Sequence, residues 1–127
     1  MAGALVNADG RVLIAQRPPG KHMAGGWEFP GGKLGGGEAP IDGLIRELSE
    51  ELAIEVLAAE PLIAYTHRYA DRSIVLDLWY VTQYRGTPRS AEGQPIKWVL
   101  PSELESVGLL DADQPMIEPL RLRMAAR

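Results

Sequence analysis

The sequence predicts an α/β fold in which a mixed β-sheet is sandwiched between α-helices, and three observations carry that reading. Short apolar runs of strand length, punctuated by Gly, Pro, Asn and Asp, bracket two segments with helical periodicity. The more regular of those, Glu38–Leu52, is strongly amphipathic. The length of 127 residues suits one compact domain spanning residues 1–127 and is short for two.

In chain order, residues 3–8 and 11–16 are apolar runs joined by Asp9-Gly10, a hairpin signal. RPPGKHMAGG (17–26) reads as a loop, Trp27–Pro30 as a short strand closed by proline, and residues 31–37 as a glycine-rich loop. The helix Glu38–Leu52 is followed by apolar stretches at 54–58 and 61–65, a turn at Asp71-Arg72 and a long strand over 73–84. Residues 85–95 form a loop, 96–100 a strand and 102–107 a short helical turn. A terminal helix over 114–125 is expected to start from Asp113 as N-cap, with Pro115 in its first turn.

Composition narrows the function. Apolar residues make up 46% and charged residues 24%, which is globular composition. A net charge of −4 argues against direct nucleic-acid binding or adhesion to an anionic membrane, so any phosphate must be bound locally. No apolar run approaches the roughly 18 residues of a membrane span, and MAGALVNADG lacks the features of a secretory signal. A cytoplasmic location is the default expectation. With no cysteine there is no disulfide, thiolate metal site or cysteine nucleophile.

Within EAPIDGLIRELSEEL, Ile41, Leu44, Ile45, Leu48 and Leu52 form one apolar stripe. Glu47, Glu50 and Glu51, at i, i+3 and i+4, gather about 120° away. Arg46 can pair with Glu50, and no basic residue of the helix balances the other two. Taken alone, such a face is a solvated acidic surface. Beside a glycine-rich loop it also suits a hard divalent cation, because Mg²⁺ takes carboxylate, water and phosphate oxygens, and glycine lets backbone approach a metal or phosphate.

Gly32, five residues, Glu38, seven residues, then Arg46-Glu47-Leu48-Ser49-Glu50-Glu51-Leu52-Ala53-Ile54 resembles the Nudix box, with one departure: Ala53 stands where the family has glycine. Trp27–Lys33, Ala91–Pro95 with Trp98, and Asp113-Gln114-Pro115 resemble the MutT-like branch, so the likeness spans nearly the whole chain. It implies the Nudix fold and Mg²⁺-dependent hydrolysis of a nucleoside triphosphate to monophosphate and pyrophosphate, with Mn²⁺ able to substitute. Carried over position by position, it implies that Glu47, Glu50, Glu51 and the Gly31 carbonyl hold the metal. Glu47, Glu50 and Glu92 are the catalytic candidates, with Glu92 as further ligand or general base. Arg46 orients the glutamates and Lys33 meets a phosphate. Arg17, His22, Glu28, Phe29, Pro30 and Asp113 fall where family members contact nucleotide, although Phe29 equally suits the core and His22 an ordinary loop. Tyr69, Asp71 and Arg72 either rim that pocket or form a solvated turn, while His67, Trp79 and Tyr80 read as sheet residues. Ala53 is expected to alter helix termination without touching catalysis, and the first strand to be shorter than in relatives.

For the base, Asp113 is the informative position, since MutT carries asparagine there to read 8-oxoguanine. An ionised Asp only accepts hydrogen bonds. It accepts from N7–H of the oxidised purine or from an exocyclic amine, and repels O6 unless protonated. The first expectation is 8-oxo-dGTP hydrolysis, with CTP or a modified dCTP as alternative substrate. A catalytically silent nucleotide-binding domain and an acidic protein- or Ca²⁺-binding module are the rivals from other classes.

Overall fold

The computed structural model describes residues 1–126. Its elements are β1 (Ala2–Ala4), β2 (Val12–Gln16), β3 (Trp27–Glu28), α1 (Pro40–Leu52), β4 (Glu55–Arg68), β5 (Ser73–Arg85), β6 (Ile96–Val99) and α2 (Ile117–Ala125), with 3-10 turns at Pro101–Glu103 and Asp111–Met116. Two three-stranded sheets are ordered β1-β5-β4 and β3-β2-β6; β1 runs parallel to β5 and the other pairings are antiparallel. Side chains alternate across the strands. Val12, Ile14, Leu78 and Tyr80 point to the α2 side, and Leu13 and Val81 to the α1 side with Leu44, Leu48 and Leu52. The helices thus cover opposite faces of a mixed β layer, as the sequence predicts.

Four local expectations are corrected. The first hairpin is not a two-residue turn between long strands. Asn7 accepts backbone N–H bonds from Asp9 and Arg11 through its Oδ1, and Gly10 takes φ +75°, giving a three-residue loop. Val6 alone bridges Val12 antiparallel, because Ala2–Ala4 cross to β5 through a tight slot, where a Cβ on Gly3 would lie 2.8 Å from Leu48 Cδ1 and displace that side chain. Helix α1 starts at Pro40 and not at Glu38, since Ala39 before proline is held extended (ψ 147°). The stretches 54–58 and 61–65 fuse into one bulged strand, and Pro61 fits because β4 is an edge strand that need not donate there. Finally, Asp113 caps nothing: it lies inside the 3-10 turn, the terminal helix begins at Ile117, and its carboxyl turns inward.

Ala53 keeps the left-handed geometry that closes α1 (φ 58°, ψ 38°), its N–H bonding to the Ser49 carbonyl. The expected change in helix termination is therefore absent, and the substitution is accommodated as local strain of about 1 kcal/mol.

Candidate active site

Helix α1 presents Glu51 to Gly31 and Glu47 to Gly32, with Glu50 exposed beside them, because Leu44, Leu48 and Leu52 pin its other side into the core. Arg46 organises this ridge. Its guanidinium grips Glu38 through two bonds of 2.9 and 3.0 Å, donates to Glu47 at 2.8 Å and Glu50 at 3.4 Å, and reaches the Lys33 carbonyl at 3.0 Å. Glu38, kept out of the helix by Pro40, also accepts from the Gly35 amide at 2.8 Å. Those partners, Arg46 foremost, hold its carboxyl down at about 2. The expectation that Arg46 balances Glu50 alone is thus corrected: it pairs more closely with Glu47, and Glu51 is the carboxylate left without a cation.

Glu51 points into the fold. Its Oε2 accepts from the Gly31 amide at 3.1 Å and its Oε1 from Gln94 Nε2 at 3.3 Å. Burial pushes its carboxyl up to about 7, the nearby Glu28 and Glu92 carboxylates add to the rise, and the two hydrogen bonds oppose it. Space along this edge is tight, and Gly31, hemmed in by the Met1 and Ala2 backbone, admits no side chain. A Cβ on Gly31 would lie 2.1 Å from the Met1 carbonyl oxygen, and one on Gly32 2.2 Å from Glu47 Oε2. The loop around Glu92 is strapped to the end of α1 by the Ala91 amide on the Glu51 carbonyl and the Arg89 amide on that of Leu52. Glu92 itself is exposed and makes no hydrogen bond or ion pair among the described residues.

The nucleotide-contact candidates divide into groups. Glu28 pairs with Arg17 (Nε–Oε2, 2.7 Å), whose terminal N–H also reaches the His22 carbonyl. Burial raises the Glu28 carboxyl and Arg17 opposes that rise. Asp113, 6% exposed, accepts the Phe29 amide on Oδ2 at 3.0 Å, and no other protein donor among the described residues reaches it. Burial drives its carboxyl up to about 7, Phe29 pulling it back and Glu28 pushing it further. The Phe29 ring is sealed in the core, so only its backbone faces Asp113. Pro30 is buried and offers its carbonyl to the Gly3 amide. Lys33 is exposed, with no ion pair among the described residues.

His22 is exposed on its loop, yet its ring meets Tyr69 edge-on at 5.4 Å, and His67 meets the same tyrosine at 4.8 Å, with Arg72 5.5 Å from the ring centre. Sequence reasoning missed this convergence, because no local pattern links a loop at 22 to a turn at 69. It also missed Gln94, a buried amide whose role depends wholly on tertiary neighbours.

Carboxylates and backbone carbonyls are hard oxygen donors, and Glu51, half-buried and with no cation paired to it among the described residues, suits a divalent ion. No three acidic or histidine side chains among the described residues converge on one point, since Arg46 draws Glu47 and Glu50 to itself while Glu51 turns to Gly31 and Gln94. An ion here would complete its shell with water or phosphate oxygens, as Mg²⁺ commonly does.

Comparison with known proteins bears on the family and the fold. Residues 1–119 match the NUDIX domain family. The chain is 37% identical over 127 residues to the CTP pyrophosphohydrolase of Escherichia coli, covering 100% of this chain and 94% of that protein. It is 34% identical over 119 residues to the 8-oxo-dGTP diphosphatase of the same organism, covering 94% and 92%. The solution structure of the E. coli ORF135 protein superposes with a TM-score of 0.85 at 37% identity, covering 99% of this chain and 89% of that one. Nudix hydrolases act on nucleotide substrates and generally use divalent metals such as Mg²⁺. With the family match, the relatives and the superposition in agreement, the chain belongs to the NUDIX domain family and is a Nudix pyrophosphohydrolase acting on phosphorus-containing anhydrides.

Proposed function

We propose that the protein is a Mg²⁺-dependent nucleoside triphosphate pyrophosphohydrolase that takes an oxidised purine such as 8-oxo-dGTP. The observation that carries this reading is Glu51 turned onto the Gly31 backbone at 3.1 Å, beside Glu47 and Glu50 held by Arg46. Glu47, Glu50, Glu51 and the Gly31 carbonyl would hold the cation, for which Mn²⁺ can substitute. A bound Mg²⁺ neutralises phosphate charge and lowers the pKa of a coordinated water. Arg46 keeps two carboxylates in place against their mutual repulsion, and the free Lys33 ammonium meets a phosphate oxygen. Glu92, unpaired and exposed, accepts the proton of the attacking water. The water oxygen bonds to the β-phosphorus, the bond from that phosphorus to the oxygen bridging it to the α-phosphorus breaks, and monophosphate and pyrophosphate leave.

Asp113 reads the base. When neutral, its carboxyl offers one donor and one acceptor, the pair an asparagine amide offers, and this suits the O6 and N7–H of 8-oxoguanine. Its elevation to about 7 supports a substantial neutral fraction at physiological pH. A second reading, CTP or a modified dCTP, is favoured by the ionised form, which accepts from an exocyclic amine, and by the 37% identity to a CTP pyrophosphohydrolase. Pyrophosphate release from a nucleotide panel, with and without Mg²⁺, tests both. The proposal expects Mg²⁺-dependent release that is faster from 8-oxo-dGTP than from dGTP. Equal rates on those two remove the oxidised-purine reading, and no turnover of any nucleotide points to a silent binding domain.

A further inference from the structure

Gln94 is one of two buried polar side chains among the described residues, at 7% exposure, and the reaction described above gives it no task. It sits behind Glu51. Its Nε2 donates to Glu51 Oε1 at 3.3 Å, while its Oε1 accepts from Ser90 Oγ at 3.1 Å. The acceptor-only carboxylate therefore selects the N–H₂ end of the amide, and the Ser90 hydroxyl, donating to the opposite oxygen, holds the amide in that orientation. On the other side, the Gly31 amide donates to Glu51 Oε2 at 3.1 Å. One donor on each oxygen fixes the rotation of the carboxylate and leaves a lone pair on each for a cation.

A purely structural task for Gln94, tying the 89–95 loop to the helix, is already performed by backbone. Arg89 and Ala91 donate to the Leu52 and Glu51 carbonyls at 3.0 Å, and the Pro95 carbonyl accepts the Gln16 amide at 2.9 Å. The side chain is redundant for holding the loop and is the one side chain among the described residues that donates to the Glu51 carboxylate. We infer that Gln94, oriented by Ser90, is a positioning residue that aims the Glu51 carboxylate for cation binding and thereby sets turnover. The inference rests on the reading of Glu51 as a metal ligand given under Proposed function.

The test compares the full-length protein with Gln94→Met, which keeps the length and packing of the side chain but removes its donor, and with Ser90→Ala, which removes only the orienting hydroxyl. Manganese binding without nucleotide is followed by the loss of the free Mn²⁺ electron paramagnetic resonance signal. Steady-state kinetics and thermal melting run alongside. Partners that orient metal ligands typically matter by 10–100-fold, so Gln94→Met is expected to weaken Mn²⁺ binding by about tenfold and to lower kcat by about as much, with KM for nucleotide nearly unchanged. Ser90→Ala is expected to move both quantities the same way by less, at an unaltered melting temperature. Should Gln94→Met lose its fold, Ser90→Ala still decides the matter. Parent-like Mn²⁺ affinity and kcat in the folded variants, or losses that track melting temperature alone, overturn the inference. If the parent itself binds no Mn²⁺, the metal-ligand reading of Glu51 fails first and takes this inference with it.

Discussion

Replacing Asp113 by Asn separates two consequences of burying a carboxyl. In the folded protein this group titrates at about 7, against 3.8 for an exposed Asp. Between those pH values the native state binds the proton and the unfolded state does not, so stability falls as pH rises from about 4 to about 7 and levels off above. At 1.36 kcal/mol per unit over that rise, the ionised carboxylate opposes folding by at most about 4 kcal/mol above pH 7. Asparagine keeps a carbonyl oxygen for the Phe29 amide and carries no such penalty. Asp113→Asn is therefore expected to melt like the parent near pH 4 and increasingly above it toward pH 8. Glu51, raised for similar reasons, contributes the same slope to both proteins and cancels in the comparison. Selectivity should follow the same titration. If 8-oxo-dGTP requires the neutral acid and CTP the carboxylate, the ratio of their kcat/KM values shifts by as much as about 100-fold between pH 6 and pH 8 in the parent. In Asp113→Asn the ratio should be flat and purine-favouring. Denaturation from pH 4 to 8 and pyrophosphate release at pH 6 and 8 measure both. A selectivity ratio independent of pH in the parent, or identical pH–stability curves for the two proteins, refutes the reasoning.

Glu51→Gln should lower turnover by about 100-fold or more while the protein stays folded, because it removes a negative ligand and retains the shape. Near-normal activity would overturn the metal assignment. Gly32→Ala brings a methyl against the Glu47 carboxylate, the movable end of a side chain, so activity should fall while the melting temperature changes little. A stability loss with retained activity contradicts that. Ala53→Gly relieves a left-handed alanine (φ 58°) and, after the extra chain entropy of glycine, should stabilise by about 0.5–1 kcal/mol in chemical denaturation at unchanged kcat. A destabilised variant contradicts the strain at the helix end.

The carboxylate ridge was legible because its spacing is local: a stripe of Leu44, Leu48 and Leu52 fixes which way Glu47, Glu50 and Glu51 face once the helix packs. The strands over 12–16, 73–85 and 96–99 were legible for the same reason, through apolar runs and turn residues. What escaped depends on tertiary choice. Asp9-Gly10 reads as a tight hairpin, yet Ala2–Ala4 gain more by filling a crowded slot beside β5 than by pairing fully with β2. Asp113 before Gln114-Pro115 reads as a cap, but the core draws it inward to Phe29 and a 3-10 turn takes up the chain. The Arg46 fork around Glu38 needs Glu38 outside the helix, a consequence of Pro40 visible only once the start of α1 is known. Gln94 and the His22–Tyr69–His67 contacts join segments far apart in sequence and leave no periodic trace.

Anomalous diffraction at the manganese edge, from crystals soaked with Mn²⁺ and a nonhydrolysable nucleoside triphosphate, locates the cation relative to Glu51. Density is expected for an ion bonded to the Glu51 carboxylate and to phosphate oxygens, with Glu47 or Glu50 sharing it and Asp113 against the base. Ions bound elsewhere, with the Glu47–Glu51 ridge left in solvent and the triphosphate lying away from it, would mean that Glu51 is not a metal ligand.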